Sequence, residues 1–169
     1  MSTRPLLDQV QAERDASFRK FLVVVDDSDE CHRAMRFACG RAAHTKKGHI
    51  SLFYAIAPVA FQHWLGVEDV MKEEARQEAE ALLRQTADDI YEYVGLTSEY
   101  ILVEGDPSAS LQKHLEADED IFALVLGAAD AESPGPLVEH FCGSQAGRLK
   151  CPVVIVPGGL SRKQIDMIV

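Results

Sequence analysis

The sequence contains few cysteines and no long apolar run. Its four cysteines form no CxxC pair and no ligand set with histidine at metal-binding spacing. This pattern is typical of small core residues in a reducing compartment, and it predicts no metal site. No apolar run approaches the roughly 20 residues that cross a bilayer, and residues 1–18 lack the apolar segment of a signal peptide. We therefore expect a cytoplasmic protein without a membrane partner.

Basic residues are also scarce. The chain has 17 Lys and Arg residues against 27 Asp and Glu residues, which gives a net charge of -10. Such a surface repels nucleic acid and anionic membranes. The densest basic clusters, Lys46–Lys47 and Arg162–Lys163, are too small to reverse this field, so we expect no nucleic-acid partner. With 169 residues, 47% of them hydrophobic, the chain is the size of one domain with a substantial core.

Short apolar runs alternate with segments of helical periodicity. The unbroken run Phe21–Val25 is typical of a strand buried on both faces of a parallel sheet. The polar and acidic residues that follow it are typical of a helix N-cap and first turn, so they predict a helix over 29–45. The same signals predict further strands at 49–57, 97–104, 121–126 and 153–156, and further helices at 67–95, 107–115, from Pro136 to about Leu149, and after Ser161.

This alternation of strands and helices predicts an α/β fold, namely an open, doubly wound, five-stranded parallel sheet with helices on both faces. The residues alone do not fix the order of the strands. We expect a polar arm at 1–18, a domain at 19–158, and a short helix or tail at 159–169. The aromatic cluster of Phe61, His63 and Trp64 follows the second strand, where it would either cover a ligand or plug the end of the core.

The carboxyl edge of the first strand carries the leading candidates for function. Asp26 and Ser28 follow that strand directly, and ligands of open α/β sheets bind at this edge, where the strand order reverses. Asp27 is more simply a charge at the start of the helix. No Ser-His-Asp arrangement is readable in the sequence, so an enzyme is the weakest of the functional hypotheses.

Four segments together resemble the universal stress protein (UspA-type) family over residues 19–158. They are Val23–Ser28, Gly105–Pro107, Val125–Ala128 and Cys151–Pro157. The resemblance implies a sheet of order 3-2-1-4-5, as in adenine nucleotide alpha hydrolase-like folds, with a nucleotide crevice between the first and fourth strands. It also implies homodimers, cytoplasmic residence and a role in stress response without an agreed chemical reaction.

The nucleotide motif of this family is altered here. Members that bind ATP carry Gly-x2-Gly-x9-Gly-Ser/Thr after the fourth strand. Gly127 matches the first glycine, but Asp130 replaces the second, and Gly143–Ser144 comes sixteen residues after Gly127 instead of thirteen. A helix from Pro136 onward would enclose Gly143–Ser144 and occupy its amides. No lysine or arginine occurs between Gly127 and Gly147.

Two main hypotheses follow. The first is a non-enzymatic, dimeric stress-response module with a degenerate nucleotide site. The alternative is an adenine-nucleotide-binding switch or weak ATPase that binds ATP or another adenine nucleotide with Mg. The candidate nucleotide-binding residues are Asp26, Asp27, Ser28, Ala57, Gly127, Ala128, Ala129, Asp130, Gly135 and Leu137. The candidate dimer interface is the fifth strand, with Val153, Val154, Ile155 and Val156, because the family order leaves it at a sheet edge.

Overall fold

Five parallel strands form a single sheet in the computed structural model, which describes residues 18–58 and 67–169. The strand order is β3-β2-β1-β4-β5, which confirms the predicted doubly wound arrangement. The strands are β1 Arg19–Val24, β2 Gly48–Ile56, β3 Ser98–Glu104, β4 Ile121–Ala128 and β5 Val153–Pro157. The predicted arm, apart from Phe18, and the aromatic cluster at 61–64 lie outside the described residues.

Helices cover both faces of this sheet. They are α1 Asp29–Ala43, α2 Val67–Val94, α3 Pro107–Ala117, α4 Pro136–Cys142 and α5 Arg162–Asp166, with a 3-10 turn at Ala146–Arg148. One face packs against α1, α2 and α5, and the other packs against α3 and α4. Within the described ranges, no helix combines the length and the apolar character that crossing a membrane requires.

The central strands are buried on both sides, as their unbroken apolar sequences predicted. In β1, Phe21 and Val23 contribute to the core under α1, whereas Leu22 contributes to the core under α3 and α4. Side chains alternate between the faces of a strand, so a doubly covered strand must be apolar throughout.

Local contacts determine where helix α1 begins and how the chain turns from it into β2. Ser28 is the N-cap, and its hydroxyl accepts a hydrogen bond from the Cys31 amide. After the helix, the chain returns so closely that a Cβ on Gly48 would lie 2.1 Å from the carbonyl oxygen of Ala42. Only glycine therefore fits at the start of β2.

A polar network ties three strands together at the amino end of the sheet. Lys20 Nζ on β1 lies 2.8 Å from Asp118 Oδ2 and 3.0 Å from Glu99 Oε1 on β3. The buried Ser51 hydroxyl on β2 donates to the same Glu99 oxygen at 2.9 Å. Burial alone would raise the pKa values of both carboxyl groups, but the hydrogen bond and charge of Lys20 hold them below their ordinary values.

Replacing Gly48 by Ala should lower the free energy of unfolding by about 1–3 kcal/mol, because the added methyl group forces the α1–β2 turn apart. Urea denaturation measures the change. Gly147→Ala is the control, since nothing lies within 4 Å of the added carbon. It should stay within about 0.5 kcal/mol of the wild type. Equal stability of the two variants would show that the turn adapts freely.

Removing Lys20 should alter the response of stability to acid. Carboxyl groups with lowered pKa values stabilise the fold above pH about 4, and this contribution is lost as the pH falls through their folded-state values. Lys20→Met should therefore lower the free energy of unfolding by about 1–2 kcal/mol at pH 7. This value lies between the contributions of an exposed and a buried ion pair. Below pH 4, the free energy of unfolding of this variant should also fall less steeply with pH than that of the wild type. Urea denaturation between pH 2.5 and 7 tests this, with the exposed Lys113→Met as charge-matched control. An unchanged slope in the Lys20 variant would contradict it.

Candidate functional site

The turn after β1 holds Asp26 in a defined position. Asp26 Oδ1 accepts hydrogen bonds from the Ser28 amide, at 2.9 Å, and from the Ser28 hydroxyl. The Ser28 hydroxyl oxygen in turn accepts from the Cys31 amide at 3.1 Å. The Asp26 carboxylate also interacts with the Cys31 thiol, which adds to the increase that burial causes in the pKa of that thiol. Asp26 is exposed, so its carboxylate stabilises the turn and is also accessible to a ligand.

The end of β4 lies directly against the first turn of α1. A Cβ on Gly127 would lie 2.3 Å from the carbonyl oxygen of Glu30 and 2.5 Å from its carbonyl carbon. Gly127 is therefore required for packing between strand and helix, whatever its role toward a ligand. This contact also brings Glu30 to the space between β1 and β4.

The start of α4 forms the opposite wall. Gly135 has a φ of 108°, which favours glycine, and Pro136 is the first helical residue. The Ser133 hydroxyl donates to Glu139 Oε1 at 2.6 Å, and its oxygen accepts from the Gly135 amide at 3.3 Å. An acidic side chain thus belongs to the first turn of this helix.

These three segments enclose a crevice at the carboxyl edge of β1 and β4. It is lined by Val24, Asp26, Ser28, Glu30, Cys31, Leu126, Gly127, Pro134, Gly135, Pro136, Leu137 and Val138. Its volume is about 140 Å³, whereas small-molecule sites commonly measure about 300–1,000 Å³. Among these described lining residues the only ionised groups are two carboxylates, those of Asp26 and Glu30, and there is no lysine or arginine.

The crevice brings together half of the predicted nucleotide-binding residues. It is lined by Asp26, Ser28, Gly127, Gly135 and Leu137, but not by Asp27, Ala57, Ala128, Ala129 or Asp130. Sequence reasoning missed Glu30 as a wall residue, since a first-turn acid is also the ordinary preference of a helix start. It also missed Leu126 and Val138, whose apolar character marks them equally well as core residues.

Asp130 does not line the crevice. A Cβ on Gly159 would lie 3.3 Å from Asp130 Oδ2, and the Gly158 amide donates to the Ala128 carbonyl oxygen at 2.7 Å. The loop after β4 is thus joined to the segment that follows β5. The residue that replaces the family's second glycine packs against that segment.

The prediction that Gly143–Ser144 lies inside a helix is wrong. Helix α4 ends at Cys142, and Gly143 leaves the helical region with φ -92° and ψ -124°. A Cβ on Gly143 would lie 2.6 Å from the Glu139 carbonyl oxygen, so the turn requires glycine. The apolar periodicity to Leu149 continues through a 3-10 turn instead. Gly143–Ser144 does not line the crevice.

The two thiols on α1, those of Cys31 and Cys39, are held in their protonated form. Burial raises the pKa of Cys31 to about 12 and the pKa of Cys39 to about 12. The Cys31 thiol donates to the Val24 carbonyl oxygen at 3.4 Å. Both cysteines therefore act as small core residues at neutral pH, as their positions on α1 predicted.

Solved structures of low sequence identity share this fold. The universal stress protein UspA from Lactobacillus plantarum is 19% identical, with a TM-score of 0.66, and the match covers 83% of this chain and 99% of that one. A universal stress protein family protein from Arabidopsis thaliana with AMP bound is 17% identical, with a TM-score of 0.59 and coverage of 82% and 91%. A universal stress protein in complex with cAMP is 21% identical, with a TM-score of 0.57 and coverage of 85% and 100%.

A comparison with curated proteins gave no match. The model of the universal stress protein family, however, matches residues 17–157. This range runs from the residues just before β1 to the last residue of β5, and it includes both walls of the crevice. The chain therefore belongs to the universal stress protein family.

Proposed function

We propose that this protein is a non-catalytic, homodimeric stress-response module of the cytoplasm whose nucleotide site is altered. The proposal rests chiefly on the charge of the crevice. Asp26 and Glu30 both line it, and no cationic side chain among the described residues does so. A triphosphate placed there would meet two carboxylates without a compensating charge, unless Mg bridged them.

The dimensions of the crevice support the same conclusion. The main chain of Glu30 closely covers Gly127, and the enclosed volume is about 140 Å³. The second glycine of the family motif is Asp130, which packs beside Gly159. The described residues therefore do not fit ATP in the manner that the family motif implies. The proposed function involves no reaction of ATP.

A nucleotide-binding switch is the second candidate. Its support is the exposed carboxylate of Asp26, which lines the crevice and can accept a hydrogen bond from a ligand. One of the solved structures described above has AMP bound, and another is in complex with cAMP. Such monophosphates carry less charge than ATP, so they would suffer less repulsion from Glu30.

The sheet edge at β5 supports the dimer. Among the described residues, strand β5 pairs with β4 alone, and α5 makes its main packing contact with α1. The side chains of Val153, Val154 and Ile155 are only half-buried. An antiparallel pairing with a second copy would satisfy the free main-chain groups and cover these side chains through one self-complementary surface.

We expect MgATP to bind with a dissociation constant above the low micromolar range, because the crevice supplies no cation. Calorimetry measures the affinity, and AMP titrated in parallel should bind more tightly than MgATP. A dissociation constant for MgATP in the low micromolar range or below would contradict the altered site.

Two variants separate the roles of the crevice carboxylates. Glu30→Gln should tighten nucleotide binding about threefold or more, because it removes a like charge near the phosphate. Asp26→Ala should weaken binding, because it removes the acceptor. An unchanged affinity in the Asp26 variant would show that Asp26 does not contribute to nucleotide binding.

Val154→Lys should convert the dimer into folded monomers, since it places a charge in the paired strands. Light scattering gives the oligomeric state, and circular dichroism verifies the fold. Tyr100→Lys is the control, because Tyr100 is exposed on β3 at the opposite edge of the sheet. Wild-type protein that remains monomeric at high micromolar concentration would contradict the proposal.

A further inference from the structure

A second cavity opens between α1 and α5, apart from the crevice. It is lined by Asp29, His32, Arg33, Arg36 and Arg162, and we call it the arginine cavity. Its volume is about 510 Å³, within the range of about 300–1,000 Å³ of small-molecule sites. None of its lining residues lines the crevice.

Residues that follow the range matched by the family model form part of the wall of this cavity. Four of its lining residues, Asp29, His32, Arg33 and Arg36, share one face of α1, at spacings of three and four residues. Arg162 belongs to α5, which lies beyond the matched range of 17–157. The wall therefore depends on how the C-terminal segment packs against α1.

Several contacts hold the C-terminal segment in place. Arg33 Nε donates to the Leu160 carbonyl oxygen at 2.8 Å. Ile165 is fully buried in the core beneath α1. The Val169 side chain packs so closely on α1 that a Cβ on Gly40 would lie 2.5 Å from Val169 Cγ2. The main chain of α5, which carries Arg162, is thereby fixed relative to α1 in the absence of a ligand.

Arg36 is already neutralised. Its Nε and Nη2 atoms donate to the two carboxylate oxygens of Asp166 at 2.6 and 2.7 Å. Its guanidinium also lies 4.8 Å from the centre of the Tyr93 ring. Arg36 therefore forms a rigid part of the wall but offers little net charge to a ligand.

Neither Arg33 nor Arg162 pairs with a carboxylate of the described residues. Arg33 donates to main-chain carbonyl oxygens of Leu160 and Asp29. Within the described part of the chain, Arg162 makes no hydrogen bond or ion pair. Two unmatched guanidinium groups and the single carboxylate of Asp29 leave the cavity with one net positive charge, on a protein with a net charge of -10.

This charge arrangement points to an anion. Guanidinium groups present paired N–H donors that match the oxygens of phosphate, and the net positive charge of the cavity favours an anion. The Asp29 carboxylate in the same wall suits a ligand that also carries hydroxyl groups, because it can accept hydrogen bonds from them. We propose that the arginine cavity binds a small phosphomonoester, with its phosphate on Arg33 and Arg162 and a hydroxyl group on Asp29.

The direct test is a titration of the full-length, isotope-labelled protein observed by NMR at constant ionic strength. Inorganic phosphate is the minimal probe, and glycerol 3-phosphate adds hydroxyl groups. We expect saturable shifts of the Arg33 and Arg162 side-chain N–H signals, with tighter binding of glycerol 3-phosphate. Glycerol alone should cause none. Shifts confined to the amides of Gly127 and Gly135, or shifts that do not saturate, would overturn the proposal.

Variants on one helix distinguish a site from diffuse charge. Arg162→Gln should weaken binding of glycerol 3-phosphate about tenfold, as expected for the loss of a charge-assisted contact. Lys163→Gln makes the same change of charge outside the cavity lining and should change the affinity less than about twofold, since exposed charges are screened. Asp29→Asn should tighten binding of inorganic phosphate. Equal effects of the Arg162 and Lys163 variants would overturn the proposal.

Discussion

The contact between Gly127 and the main chain of Glu30 is the constraint on which the crevice depends. The end of β4 and the first turn of α1 approach so closely that a single methyl group would collide with the Glu30 carbonyl. This approach fixes α1 over the junction of β1 and β4, which is where a doubly wound sheet accommodates ligands. It also directs an acidic residue into that junction. The same contact therefore stabilises the fold and makes the crevice narrow and anionic.

The sequence predicted the main elements of the fold because their signals are local. The run Phe21–Val25 and the alternation of strands and helices were sufficient for a doubly wound sheet, and the family resemblance supplied its order. The end of α4 was missed because the apolar spacing to Leu149 continues beyond Gly143, where one turn departs from the helix. The position of Glu30 was missed because it results from a contact between segments that are nearly 100 residues apart, and no local pattern records it.

The C-terminal segment gives this chain surface features that lie outside the family-matched range. Residues after 157 lie outside the family match, yet Ile165 is fully buried and Asp166 pairs with Arg36. Within the described ranges, β5 is an edge strand of the sheet, and α5 places Arg162 beside α1. One short helix is thus compatible with a dimer through β5 while it creates a basic cavity elsewhere. The negative charge of the crevice and the positive charge of the arginine cavity favour different ligands at the two places.

We proposed that the crevice does not hold ATP tightly. Mass spectrometry of small molecules released by denaturing freshly purified protein tests this proposal, because a tight nucleotide site retains its ligand through purification. We expect no ATP at an amount approaching one molecule per chain. Recovery of ATP at about one molecule per chain would contradict it, and would show that the Asp26 and Glu30 carboxylates are compensated by groups or ions that the crevice acquires on binding.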